Sequence, residues 1–113
     1  MELATEKSGD VTVISLRGEH LDASVAEEFK RDSAPLLEEN LKVVFDMSSL
    51  QFVDSAGLGA ILSCLRKLST AGGDLKLCEM SKAVRSTFEI ARMHRIFDIF
   101  PTQAEAIQAF ETP

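Results

Sequence analysis

Two apolar patterns of different period meet between Val43 and Leu68, and their junction restricts the chain to folds in which a buried strand feeds a helix through a tight loop. Val43-Val44-Phe45 is uninterrupted, the pattern of a strand covered on at least one face, and Lys42 to Met47 is the strongest strand in the sequence. Downstream, Leu58, Ile61, Leu62, Leu65 and Leu68 recur at helical spacing and predict a helix from Ala56 to about Ala71. Val53-Asp54-Ser55-Ala56-Gly57-Leu58-Gly59 joins the two with one acid, one hydroxyl and two glycines. Ser55 therefore belongs at a helix N-terminus, exposed among free backbone N–H groups, where either Asp54 or Ser55 can be the N-cap. Gly57 and Gly59 fall in the first turns, where each costs up to about 1 kcal/mol relative to Ala. A surface without side chains is favoured there, and close approach by another backbone is the expected reason.

The rest of the chain continues the alternation of strands and helices. Gly9-Asp10 is a turn signal between Leu3–Lys7 and Val11–Arg17, which predicts a hairpin. Ser24-Val25-Ala26-Glu27 has the form of a capping box, and Val25, Phe29, Leu36 and Leu37 give a helical apolar face to about Asn40. Pro35 should kink or split that helix near Ser33 unless the proline faces solvent. Gly72-Gly73 ends the second helix, and Leu75 to Cys78 is the next strand. Ser81 can cap a third helix with Val84, Phe88 and Ala91 facing inward, followed by a short apolar stretch from Ile96 to Phe100. Thr102-Gln103-Ala104-Glu105 is another capping-box pattern, starting a last helix whose Ala106, Ile107 and Phe110 pack on the body. The expected fold is α/β, one domain over residues 1–113, with a mixed sheet of four to five strands and about four helices.

Composition narrows function. A net charge of −6, with the twelve Lys and Arg residues scattered, opposes direct nucleic-acid binding. No apolar run approaches the ~18 residues needed to insert in a membrane, and Met1-Glu2-Leu3 does not open a signal peptide, so a cytoplasmic protein is expected. Cys64 and Cys78 read as buried free thiols, because their spacing suits neither a redox pair nor a zinc cluster and two cysteines alone make no metal site. No cofactor or metal is expected.

The stretch from Phe52 to Leu62 resembles the signature of anti-sigma factor antagonists, the small bacterial members of the STAS domain family. The likeness runs from about Val11 to Phe110 and includes Gly18-Glu19, Leu21-Asp22 and the Gly72-Gly73 break. Ala56 stands where many relatives carry a second serine, which singles out Ser55, and the gap between Gly18 and Asp22 is one residue longer than in sporulation members. The resemblance implies that Ser55 is a phosphorylation site and that the unmodified protein binds a serine-kinase anti-sigma factor, freeing the sigma factor. The kinase would phosphorylate Ser55 with ATP and a serine phosphatase would reset it, so the chain is a substrate and not an enzyme. The implied partner-binding surface is Asp22, Asp54, Ser55, Ala56, Gly57, Leu58 and Gly59. Asp22 either lies beside Ser55, as the matching acid does in relatives, or forms a local Asx turn or extra cap. Asp46 reads as a strand-end turn former.

Other classes fit less well. A hydrolase would need His20 or His94 beside Ser55, and neither has a triad-like context. Gly57-Leu58-Gly59 lacks the further glycines of a dinucleotide fingerprint and the Gly-Lys-Ser/Thr ending of a P-loop. The resemblance also leaves open a STAS subunit of a stress-signalling assembly or of a lipid-transport ATPase complex.

Overall fold

A computed structural model describes residues 1–111. The expected hairpin forms: β1 (Leu3–Ser8) and β2 (Val11–Leu16) pair antiparallel, turning at Gly9 with φ of +62°. The chain then passes through β3 (His20–Leu21), α1 (Ala26–Glu39), β4 (Lys42–Asp46), β5 (Phe52–Val53), α2 (Ser55–Thr70), β6 (Asp74–Cys78), α3 (Lys82–Ile90), β7 (Asp98–Phe100) and α4 (Gln103–Glu111). The main sheet has the order β1-β2-β4-β6-β7, parallel from β2 onward, while β3 and β5 form a separate two-stranded parallel sheet. The mixed sheet and the four helices expected from sequence are both present.

Alternation along the strands divides the core. Ile14, Leu16, Val43, Phe45, Leu75 and Leu77 point to the side covered by the first three helices, where Phe29, Ile61, Leu68 and Phe88 are fully buried. Val11, Val13, Val44 and Cys78 point the other way and are covered by Ala106 of α4, with Ile107 and Phe110 packed alongside. The run Val43-Val44-Phe45 is uninterrupted because both faces of β4 are buried. Lys76 lies between the strands and the last helix: its Nζ bonds Asp98 at 2.9 Å and Asp74 at 3.2 Å and lies 4.7 Å from the Phe110 ring centroid. Burial pulls the Lys76 pKa down, but hydrogen bonds to Asp98 and Asp74 outweigh it and the net shift is upward. Both thiols are free and buried, and burial, reinforced by Asp46 and Glu79, pushes Cys78 up to about 12.

Several local expectations change. Ser24 does not cap α1: the helix starts one residue later than a capping box requires, with Val25 at the N-cap position, and the Ser24 hydroxyl donates to Asp22. Pro35 does not split α1, which runs unbroken from Ala26 to Glu39, and it lies on the exposed face, where water can solvate the Arg31 carbonyl that loses its partner. Ala91 is exposed, not inward, since α3 stops at Ile90 and Phe97 supplies the next core side chain. Ser81 does cap α3, accepting from the Val84 N–H at 3.2 Å, and Thr102 accepts from the Glu105 N–H at 3.2 Å.

Candidate functional site

Because β2 and β4 are parallel neighbours, the segments leaving them emerge side by side at one end of the sheet. The two pair briefly, with His20 opposite Phe52 and Leu21 opposite Val53. The Glu19 carbonyl accepts from Gln51 N–H at 2.7 Å and Phe52 N–H at 3.1 Å, which ties the loop before α1 to the loop before α2. This small sheet, absent from the sequence reading, sets the relative position of Asp22, Asp54 and Ser55. Its only sequence trace is two dipeptides of apolar and flanking residues, too short for a period-2 pattern.

Asp54 links both loops. It is the N-cap of α2, its Oδ1 accepting from the Gly57 N–H at 2.9 Å, while Oδ2 accepts from the Ala23 N–H at 3.1 Å. A cap of this kind is worth about 1 kcal/mol, and here the same carboxylate also fixes the neighbouring loop. Since Asp54 caps the helix, Ser55 at the first helical position is left exposed, with no structural duty as a cap. Asp22 takes the local role: its Oδ1 accepts from the Ser24 hydroxyl at 2.5 Å and the Ser24 N–H at 3.0 Å, an Asx turn that leads into α1. Those bonds, the hydroxyl first, hold the Asp22 carboxyl below the usual carboxylate range. Asp46 is likewise a turn former, accepting from Ser48 N–H at 2.9 Å, and it also accepts from Gln103 Nε2 of α4 at 2.9 Å.

The two glycines differ. A Cβ on Gly57 would sit 2.0 Å from the Leu21 carbonyl oxygen and 2.9 Å from Val53 Cγ1, so the close approach expected at this position is internal. Gly59 is exposed, and nothing lies within 4 Å of where its Cβ would be. Leu58, read from sequence as part of the docking surface, points inward and is only 5% exposed, and Gly57 is also buried. The surface around Ser55 is therefore offered by Asp22, Asp54, the half-buried Ala56 and Gly59, with Gly57 and Leu58 shaping it from beneath.

His20 turns its ring against Phe52, centroids 6.1 Å apart, and His94 lies in the short 3-10 turn Met93–Arg95. Among the described residues, no group of three or more His, Cys, Asp or Glu side chains is placed to hold a metal ion. No helix among the described residues is long and apolar enough to cross a membrane.

Residues 2–106 match the STAS domain. The chain belongs to the STAS domain family. Among its relatives, the candidate anti-sigma factor antagonist BtrV of Bordetella bronchiseptica is 30% identical over 99% of this chain and 97% of its own. The crystal structure of a candidate anti-sigma factor antagonist from Thermotoga maritima superposes with a TM-score of 0.87 at 25% identity, covering 95% of this chain and 92% of that one. The anti-sigma factor antagonist SpoIIAA, solved in its unphosphorylated form, shares the fold with a TM-score of 0.70 at 22% identity over 99% of this chain and all of its own. Its phosphorylated form, described as a Bacillus cell fate determinant, gives 0.68 at 23% identity over 96% and 99% of the two chains. The names of these relatives support an anti-sigma factor antagonist role for the chain.

Proposed function

We propose that this chain is a cytoplasmic anti-sigma factor antagonist that works by partner switching. Unmodified, it docks through the Ser55 end of α2 on a serine-kinase anti-sigma factor, which then releases its sigma factor. The kinase transfers the γ-phosphoryl group of ATP to Ser55 Oγ, leaving ADP and ending the association, and a serine phosphatase hydrolyses the phosphoester. The observation that carries this reading is the division of labour at the helix start, where Asp54 caps and Ser55 stands exposed without a cap to make.

Charge supplies the switch. A phosphoryl group adds about −1.5 to −2 charge at neutral pH, which the helix N-terminus tolerates, so the fold survives modification. At the docked surface the same charge faces the partner. Two added charges about 6 Å from a carboxylate, at an effective dielectric of about 20 to 80, imply a repulsion of roughly 1–5 kcal/mol. With each 1.4 kcal/mol worth about tenfold, a tight complex becomes weak without refolding. The phosphorylated form solved for SpoIIAA supports a covalent switch in this family.

Incubation with the cognate kinase and ATP, followed by peptide mapping, tests the reading: the phosphoryl group should map to Ser55. Ser55→Ala should bind the kinase and resist switching, whereas Ser55→Asp should stay folded and bind about tenfold or more weakly. Equal affinities of the two variants by calorimetry would refute the switch.

A further inference from the structure

We propose that Phe52, braced by His20, is the apolar anchor of the docking surface around Ser55, and that the anti-sigma factor kinase receives its ring in an apolar pocket. The inference rests on the function proposed above and names the contact that makes that docking selective. In the two-residue strand β5, Val53 points into the core at 2% exposure, so alternation turns Phe52 outward, and it remains 50% exposed. His20 lies opposite it in the register and meets the ring edge-on, centroids 6.1 Å apart at an interplanar angle of 64°. Phe52 is three residues before Ser55, and the Leu21 carbonyl accepts from the Asp54 N–H between them, so ring and hydroxyl belong to one braced unit.

Phe52 differs from the other exposed large apolar side chains, Leu41, Ile90 and Ile96, in being aromatic, braced and beside the site. Aromatic rings in such positions carry a disproportionate share of interface energy, whereas scattered aliphatics are ordinary surface. The charges nearby select the occupant. Asp54 follows the ring by two residues, and Glu19 and Asp22 flank its register neighbours His20 and Leu21, so two copies docked ring to ring would bring like charges together, and a chain of net charge −6 is repelled by an anionic membrane. A different protein with an apolar pocket fits.

The test is calorimetric titration of variants into the cognate kinase, with thermal unfolding recorded for each. Phe52→Ala should bind about thirtyfold more weakly and Phe52→Leu about tenfold, with unfolding midpoints close to the parent's, and Ile90→Ala should bind normally. Phe52→Leu keeps the contact with His20 if Phe52→Ala disturbs the loop. Wild-type affinity in Phe52→Ala, with Ser55 phosphorylation still abolishing binding, would overturn the anchor and leave the switch standing. A parent chain that does not bind the kinase would overturn both. Self-association lost in Phe52→Ala would assign the ring to a second copy and overturn the proposal.

Discussion

Helix α2 has a pair of glycines at each end, and only one of the four lacks a reason inside the molecule. At the C-terminal end Gly72 adopts φ of +87° and Gly73 donates to the Leu68 carbonyl at 2.7 Å, a Schellman stop. A Cβ on Gly73 would lie 2.3 Å from the Leu41 carbonyl oxygen. At the N-terminal end Gly57 is pressed on Leu21 in the same way, at 2.0 Å. Gly59 has no positive φ, no neighbour within 4 Å and a solvent-facing position in a helix, where glycine is unfavourable. Internal packing accounts for Gly57 and Gly73 and a left-handed backbone for Gly72, which leaves Gly59 with no reason inside the chain. Sequence alone makes Gly57 and Gly59 look alike, a spaced pair at a helix start. Their surroundings separate a glycine pressed against a backbone carbonyl from one open to solvent.

The largest effects would break this comparison at its packed members. Gly57→Ala should lower stability by about 3 kcal/mol, and Gly73→Ala by about 2–3 kcal/mol, because a backbone carbonyl cannot swing away as a flexible side chain can. Denaturant unfolding reads both, and a midpoint unchanged in Gly57→Ala would show that the N-terminal pair serves binding alone. Gly72→Ala should cost about 1 kcal/mol, the strain of a left-handed residue with a Cβ. Gly59→Ala should go the other way, stabilising the protein by about 0.5–1 kcal/mol in the same assay while weakening kinase binding in calorimetry. Higher stability with undiminished affinity would remove the outside reason for Gly59. The smallest effect is one of pH. The Asp22 pKa is lowered by the Ser24 hydroxyl, so its contribution is present above the unfolded value of about 3.9 and is lost as pH falls through the folded pKa. Amide shifts of Ser24, followed by NMR below about pH 4, should move while that of Gly72 holds still; equal movement would mean acid loosens the two ends together.

Much of the fold is legible in the sequence where the cause is local. The Gly9 turn, the Ser81 cap, the Gly72-Gly73 stop and the Thr102 cap involve partners within a few residues, and each forms where the pattern places it. The capping box at Ser24 fails although its pattern is as good as that at Thr102, because the Asp22 carbonyl accepts from the Val25 and Ala26 N–H groups in a turn that puts Val25 at the N-cap position. The site was partly legible. Ser55 is exposed at a helix start, as the junction of two periods required, but Leu58 turned inward with the leucines that follow it. The aromatic pair of His20 and Phe52 could not be read at all, since the partners are thirty-two residues apart and meet through a two-residue strand.

By itself, then, the order of residues determined the strands of the main sheet and the helices, where the helices stop and that a hydroxyl stands at the head of α2. Backbone preferences and caps act across about four residues, and so are written in the chain. Tertiary structure decided which glycine is trapped and which is open, which acid caps α2 and which closes a turn, and which aromatic ring reaches solvent. Those outcomes depend on the parallel register of β2 with β4 and of β3 with β5, which places Leu21 against Gly57 and Ala23 against Asp54. Register is settled by burying a whole face at once, and no short stretch of sequence contains that information.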